Sequence, residues 1–213
     1  MSSIPVFYRN VVRHLKTTGS IAPSSRFLAK AMLQCMEHQS HPLRILEAGP
    51  GTGPFTKPLA AMLEDGDQLD LCELNDDFVA HLRRLIDNHP AMKARKDQIA
   101  LYHQPVQTLE GEKCYDVILS GLPFNNFEPE LVQDILDTYV KLLKPEGVLS
   151  FFEYANVRGM KKRFVSKPEK ERIEAVESVL QQFLKTYEKK RLFVSLNFPP
   201  SIVHVCRMDP DAL

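Results

Sequence analysis

The segment RILEAGPGTGPFTKPLA, residues 44–60, carries the clearest structural signal in the chain. An apolar run ends at Glu47, and Gly49, Gly51 and Gly53 follow before a stretch with helical character. Glycine permits positive φ angles and leaves the backbone bare, so a ligand can approach the main chain closely. A helix that begins directly after the glycines would offer free N–H groups to that ligand. The segment therefore predicts a strand, a turn and a helix that cradle a nucleotide.

A second acidic residue follows at the distance that a nucleotide site requires. The next apolar run, Gln68–Glu73, ends in a glutamate about 20 residues after the last glycine, where a carboxylate can accept hydrogen bonds from ribose hydroxyls. The glycine spacing G-x-G-x-G differs from the G-x-G-x-x-G pattern of dinucleotide enzymes. A glycine- and proline-rich loop with an unrelated acid is the alternative, but the alignment of strand, loop, helix and Glu73 favours a nucleotide site.

Strand-like and helix-like segments alternate along most of the chain, which predicts a parallel sheet with helices on both faces. After a helical stretch at Pro168–Tyr187, two strand-like runs joined by NFPPS predict a terminal antiparallel hairpin. We find no repeat or linker and predict one domain over residues 1–213. The strand-like runs are Leu43–Ala48, Gln68–Glu73, Gln98–His103, Tyr115–Ser120, Gly147–Tyr154, Lys190–Leu196 and Ile202–Arg207, and the earlier helix-like segments are Pro54–Glu64, Asn75–Asn88 and Pro129–Leu143.

The composition suits a protein with one apolar core. Of its 213 residues 44% are hydrophobic, and the formal net charge is zero, so any preference for a charged partner must be local. The four cysteines are widely spaced without a CxxC pair, which indicates reduced thiols and a cytoplasmic setting. No apolar run approaches the roughly 18 residues that span a bilayer, and no signal-peptide core is present.

The motifs LEAGPGTG and LCELN resemble the first and second motifs of class I S-adenosylmethionine-dependent methyltransferases. The resemblance extends over nearly the whole chain and includes the closing hairpin. It implies an α/β, Rossmann-like class I methyltransferase fold, with a mostly parallel seven-stranded sheet and a terminal antiparallel hairpin. It also implies S-adenosyl-L-methionine as the cofactor.

The same resemblance assigns the cofactor contacts. The glycines approach the amino-acid part and the ribose, Glu73 accepts from the 2′ and 3′ hydroxyls, and Leu74 packs on the adenine. Gln104 stands where the family often has an acid near the adenine amine, and its side-chain carbonyl can accept the same hydrogen bond. The implied cofactor-binding residues are Glu47, Gly49, Pro50, Gly51, Thr52, Gly53, Glu73, Leu74, Gln104, Ser120 and Gly121.

Three further stretches resemble bacterial phospholipid N-methyltransferases, which convert phosphatidylethanolamine towards phosphatidylcholine. They are TGSIAPSSRFLAKAM at 18–32, SGLPFNNF at 120–127 and LNFPPSIVHVCR at 196–207. This resemblance implies a phospholipid substrate and a peripheral contact with an anionic membrane. Ribosomal RNA adenine dimethyltransferases are the main competitor, but they read NLPY where this chain has Ser120 and Phe124, and they carry a further helical domain. A small-molecule amine methyltransferase and a non-catalytic binding module are two more candidate functions.

The first 36 residues contain five basic residues and no acidic one. If Ile4–Lys16 is helical, its apolar residues form one stripe flanked by Arg9, Arg13 and Lys16. Such a helix can lie in the interface of an anionic membrane, so we predict that residues 1–40 form a basic amphipathic helical extension. The alternative is a helix that packs on its own domain.

A second basic segment follows the fifth strand. We expect Lys161, Lys162 and Arg163 to hold a lipid phosphate at the carboxyl edge of the sheet, beside the cofactor. A solvated loop and a contact with the phosphate backbone of RNA are the competing interpretations.

Methyl transfer to an amine requires a neutral amine and an acceptor for its proton. Tyr8, His14, Asn125 and Glu153 are the candidates for catalysis near the predicted site. The aromatic side chains of Phe124, Phe127 and Tyr154 could hold a methylated cation by cation–π attraction, although such residues are often part of a core. His38 and His41 form an HxxH pattern without nearby Cys or carboxylate ligands, so we expect no metal site.

Overall fold

Seven strands form one sheet in the computed structural model, which describes residues 25–37, 39–155 and 166–208. Their order is β3-β2-β1-β4-β5-β7-β6, and β7 runs antiparallel to both of its neighbours while the other pairs are parallel. The strands are β1 (Arg44–Ala48), β2 (Gln68–Glu73), β3 (Ile99–His103), β4 (Tyr115–Ser120), β5 (Leu143–Tyr154), β6 (Glu188–Val194) and β7 (Ser201–Arg207).

Local sequence signals set where several helices begin. The Ser25 side chain accepts a hydrogen bond from the Leu28 N–H at the start of the first helix, and the Asn75 side chain accepts two at the start of the third. Pro129 and Pro168 lie in the first turns of two later helices, where a missing N–H costs nothing. The helices are α1 (Arg26–Leu33), α2 (Thr56–Met62), α3 (Asp76–Asn88), α4 (Pro90–Ala94), α5 (Pro129–Leu142) and α6 (Lys167–Tyr187).

Helices cover both faces of the sheet, and each face has its own apolar core. One core includes side chains of α5 and α6, and the other includes side chains of α2, α3 and α4. The central strands are buried on both faces, as Ile45 and Leu46 of β1 show with no exposed surface. Burial on both faces explains why these strands appear in the sequence as continuous apolar runs.

The first described helix, α1, packs on the sheet instead of standing apart from it. Leu28 and Met32 are fully buried, in a small core with Phe55 and Val203. The described part of the predicted extension over residues 1–40 therefore contains a helix that belongs to the packed structure. The segment Ile4–Lys16 lies outside the described residues.

The predicted fold is confirmed: the sheet is seven-stranded and mostly parallel, and it ends in an antiparallel hairpin. Several predicted boundaries were wrong, most by one or two residues, and the start of β5 by four. β5 begins at Leu143, directly after α5, because Leu143 pairs with Tyr115 of β4. The register of this pairing shifts between Tyr115 and Val117. β6 ends at Val194, because the chain turns there. The described helices include none with the length and apolar character needed to cross a bilayer.

Candidate cofactor and substrate site

The carboxyl ends of β1 and β4 adjoin at the point where the strand order reverses. Ala48 is paired with Ser120, and the N–H of Gly121 donates to the Ala48 carbonyl over 2.8 Å. In open α/β sheets a ligand crevice forms at this point, because the chains leaving the two strands diverge to opposite faces. The glycine segment leaves β1 here.

All three glycines of the loop have left-handed backbone conformations, with φ of 71° at Gly49, 57° at Gly51 and 78° at Gly53. A Cβ atom on Gly51 would meet no atom within 4 Å, so the loop faces open space at that position. A Cβ atom on Gly121 would lie 2.6 Å from the Gly49 carbonyl oxygen, so the ends of β1 and β4 can approach only if residue 121 is glycine. Gly51 therefore borders open space, and contact of the three glycines with a nucleotide stays a prediction.

Glu73, at the end of β2, ties the second strand to the glycine loop. One carboxylate oxygen accepts the N–H of Gly51 at 3.0 Å, and the other accepts those of Leu74 and Asn75 at 2.8 Å each. Burial raises the pKa of Glu73, and the three N–H donors oppose that rise. The carboxylate thus helps to hold the loop in place and lies beside the space that Gly51 leaves open.

Glu47, the acid before the first glycine, is fully buried. The Thr56 hydroxyl faces its carboxyl group, but neither carboxyl oxygen reaches a hydrogen-bond partner in the structure. Burial, reinforced by the nearby Glu73, raises the pKa of Glu47 to about 8. A ligand with a positive charge beside this carboxyl group would favour its ionised form and oppose the effect of burial.

Residues 45–147 match the family model described as a methyltransferase domain. The chain is a class I S-adenosylmethionine-dependent methyltransferase. A nucleoside with a cationic sulfonium and an amino-acid tail suits a loop with open space at Gly51, the carboxylate of Glu73 beside it and the buried acid Glu47. The cofactor of the methyltransferase is therefore S-adenosyl-L-methionine, and its contact with Glu47, Gly49, Gly51 and Glu73 stays a prediction.

Known proteins similar to the methyltransferase include an ornithine lipid N-methyltransferase from Singulisphaera acidiphila, 24% identical over 209 residues and 97% of each chain. Among solved structures, a 1,6-didemethyltoxoflavin-N1-methyltransferase from Burkholderia thailandensis has a TM-score of 0.67 at 16% identity, with 98% of this chain and 92% of that one covered. The N-methyltransferase NodS from Bradyrhizobium japonicum has a TM-score of 0.63 at 16% identity, with 96% and 99% covered. These structural likenesses show the shared fold.

The remaining predicted cofactor residues lie around the same edge of the sheet. Leu74 and Gln104 are half-buried, and they follow β2 and β3, which are neighbours. The buried Ser120 hydroxyl accepts a hydrogen bond from Tyr139 at 2.9 Å, so it supports packing below the loop. Pro50 is buried and Thr52 is exposed. Contact of these residues with the cofactor stays a prediction.

Phe124 and Phe127 are core residues in this structure, exposed by only 3% and 4%. Phe124 packs edge-on against Phe151, with ring centres 5.5 Å apart. This burial leaves almost no ring surface facing solvent, as expected of aromatic residues that serve packing. Contact of these rings with the substrate has no support from the burial and stays a prediction.

Arg172 of α6 holds the turn that contains these residues, and no pattern in the sequence indicated this role. Its guanidinium donates to the backbone carbonyls of Phe127 at 2.5 Å and Asn125 at 3.1 Å, and it pairs with Glu169 of its own helix. The Asn125 side-chain oxygen is buried and has no hydrogen-bond partner in the structure. The predicted catalytic Asn125 therefore keeps a free acceptor on a backbone that Arg172 fixes.

Glu153 lies at the carboxyl end of β5 and joins a buried chain of ionisable groups. Its carboxylate is 3.2 Å from Nε2 of His204, and Nδ1 of His204 is 2.5 Å from Glu188. His204 also stacks on the ring of Phe151. The neighbouring Tyr154 hydroxyl is buried without a partner in the structure, and burial raises its pKa. Glu153 is thus linked to a second proton-carrying group, which the sequence did not reveal.

His41 pairs with acidic side chains: its Nδ1 lies 2.8 Å from Asp67 and its Nε2 lies 3.5 Å from Glu64. The part of the chain that the structure describes contains no cluster of three metal-ligating side chains.

Several predicted site residues lie outside the part of the chain that the structure describes. They are Tyr8, Arg9, Arg13, His14, Lys16, His38, Lys161, Lys162 and Arg163.

Alanine substitutions at two glycines should separate ligand space from backbone packing. Gly51→Ala places a methyl group in the open space of the loop, so we expect at least a 10-fold loss of cofactor affinity with a stability loss of about 1–2 kcal/mol from the positive φ. Gly121→Ala should cost about 1–3 kcal/mol of stability by overpacking. Calorimetry and thermal unfolding measure both effects. Unchanged cofactor affinity in Gly51→Ala would contradict the cradle.

Proposed function

We propose that the methyltransferase methylates the amino group of a membrane lipid, and that the ethanolamine headgroup of phosphatidylethanolamine is its substrate. The full-length similarity to an ornithine lipid N-methyltransferase supports an amine-bearing lipid, since 97% of each chain is covered. The three stretches that resemble phospholipid N-methyltransferases favour the ethanolamine headgroup. Peripheral contact with an anionic membrane is part of this proposal.

An ornithine lipid is the second candidate substrate, because the relative from Singulisphaera acidiphila acts on that lipid. Both lipids present an amine at the membrane surface, so the same site chemistry serves either. Phosphatidylethanolamine carries a phosphodiester next to its amine, and this group distinguishes it from an ornithine lipid. The predicted cations Lys161, Lys162 and Arg163 suit that group.

When bound, S-adenosylmethionine supplies an electrophilic methyl group. The protein must align the amine with it, exclude water and accept a proton. Glu153 is our candidate acceptor for the proton of the amine, because it is buried at the carboxyl edge of the sheet. His204 and Glu188 continue the path by which that proton would leave Glu153. The partner-free oxygen of Asn125 is a candidate acceptor for the N–H of the amine, so it could orient the nitrogen.

Purified protein with methyl-labelled cofactor should methylate vesicles that contain phosphatidylethanolamine, and label should not appear in total RNA or small amines. Parallel vesicles with ornithine lipid separate the two lipid substrates. Glu73→Ala serves as a cofactor-deficient control. Label in RNA alone would replace the proposal with an RNA methyltransferase, and label in small amines alone would indicate a small-molecule enzyme.

A further inference from the structure

The end of the β6–β7 hairpin, formed by the last residues of β6 and the turn that follows, exposes large apolar side chains. Phe193 is 66% exposed, Leu196 67% and Phe198 87%, the highest values among the large hydrophobic residues that the structure describes. We call these three residues the apolar tip. Leaving such side chains in water is unfavourable, so a cluster of them at the end of a hairpin indicates a surface that meets another phase or molecule.

The conformation of the turn holds the tip outward. Asn197, between Leu196 and Phe198, is only 4% exposed. Its amide nitrogen donates to the Pro199 carbonyl at 2.8 Å and to the Ser201 hydroxyl at 2.9 Å, while its oxygen accepts the N–H of Ser25 at 3.0 Å. Because these bonds anchor Asn197 inward, the apolar side chains on either side of it point away from the domain.

The tip projects from the edge of the sheet where the cofactor loop lies. Ser201 of β7 is paired with Val194 of β6 on one side and with Tyr154 of β5 on the other. β5 is parallel to β4 and β1, so the ends of β5 and β6 share the carboxyl edge with the glycine loop. Whatever the tip contacts is therefore brought to the edge at which the methyl donor is held.

Two basic segments join the described structure beside this turn. The N–H of Ser25 bonds to Asn197, and the N–H of Ala155 donates to the Pro200 carbonyl at 2.6 Å. Residues 1–24 precede Ser25 and contain three Lys or Arg residues, and 156–165 follow Ala155 and contain four. Neither segment contains an acid. The charged side chains of both segments are therefore basic, and both segments meet the described structure at the apolar tip.

We propose that the apolar tip inserts into the interfacial region of an anionic membrane and sets the depth at which the carboxyl edge meets the lipid. This deepens the proposed function and rests on it for the lipid substrate. Three side chains offer roughly 500 Å² of contact, less than the roughly 800 Å² per partner of a stable protein interface. Apolar anchors beside cations suit a bilayer with anionic headgroups.

The chain contains no tryptophan, so the fluorescence of one introduced tryptophan reports only on the surroundings of that residue. Phe198→Trp should shift its emission to shorter wavelength with phosphatidylethanolamine–phosphatidylglycerol vesicles and be quenched by brominated lipid. Met62→Trp is the matched control, since Met62 is 42% exposed at the far end of α2 and should show neither change. A Phe198→Trp spectrum that vesicles leave unchanged would overturn the proposal. A shift that depends on protein concentration without lipid would indicate a second copy of the chain instead.

A second variant tests whether the tip is needed for binding. Leu196→Ser with Phe198→Ser should lower partition to the same vesicles at least 10-fold while cofactor affinity stays at the wild-type value, and Met62→Ser should leave both unchanged. Wild-type partition by the double variant would overturn the tip proposal even if the lipid is methylated. Tip insertion by a protein that methylates no aminolipid would leave the tip proposal standing and overturn the proposed function.

Discussion

Replacing Glu73 by alanine is expected to lower the affinity for S-adenosylmethionine by about 3 kcal/mol, roughly 150-fold. The substitution removes the acceptor predicted for the ribose hydroxyls. It also removes the hydrogen bond, 3.0 Å long, that the N–H of Gly51 donates to the Glu73 carboxylate, so the glycine loop is held less firmly. Two causes therefore act together, and the loss exceeds that of one charge-assisted hydrogen bond.

Glu73→Gln is the matched control for this experiment. A single amide oxygen can still accept the N–H groups of Leu74 and Asn75, but the amide nitrogen cannot accept from Gly51. We expect stability close to that of the wild type with a partial loss of affinity, whereas alanine should also lower the free energy of unfolding by about 2 kcal/mol. Calorimetric titration and denaturant unfolding measure the two quantities. Wild-type affinity in the alanine variant would contradict the ribose assignment.

Replacing Glu47 by glutamine should stabilise the cofactor-free protein, and increasingly so as the pH rises. Folding raises the pKa of Glu47 to about 8 from an ordinary value near 4.5. The folded state therefore favours the protonated form of Glu47. The stability that the wild-type protein has from this group is complete below about pH 4.5 and is lost as the pH rises through 8. Glutamine cannot ionise, so residue 47 adds no pH dependence to the stability of the Glu47→Gln variant.

Between pH 5 and pH 8.5 the stability difference between Glu47→Gln and wild type should grow on the order of 3 kcal/mol. Thermal unfolding of both proteins across this range measures it, with Glu112→Gln, at an exposed carboxylate, as the control. The same substitution should weaken cofactor binding, because the amide cannot offset a positive charge. A pH-independent difference would mean that Glu47 is not the buried acid described.

Much of the fold was predictable because central parallel strands are buried on both faces and so appear as apolar runs between helical segments. The boundaries of β2 and β4 matched the prediction to the residue, whereas β5 did not. The start of β5 depends on pairing between Leu143 and Tyr115, which are far apart in the chain. The short helix α4 also escaped prediction, since five residues give too little periodicity to recognise.

The sequence by itself determined the strand, glycine turn and helix around residues 44–62, with Glu73 at the end of the next strand. Those features depend on backbone freedom and on the spacing of neighbouring elements. Only the tertiary structure decided that Glu47 has no partner, that His204 joins Glu153 to Glu188, and that Asn197 bonds to Ser25. These contacts join residues from separate elements, up to 172 positions apart, and the packing of the sheet alone brings them together.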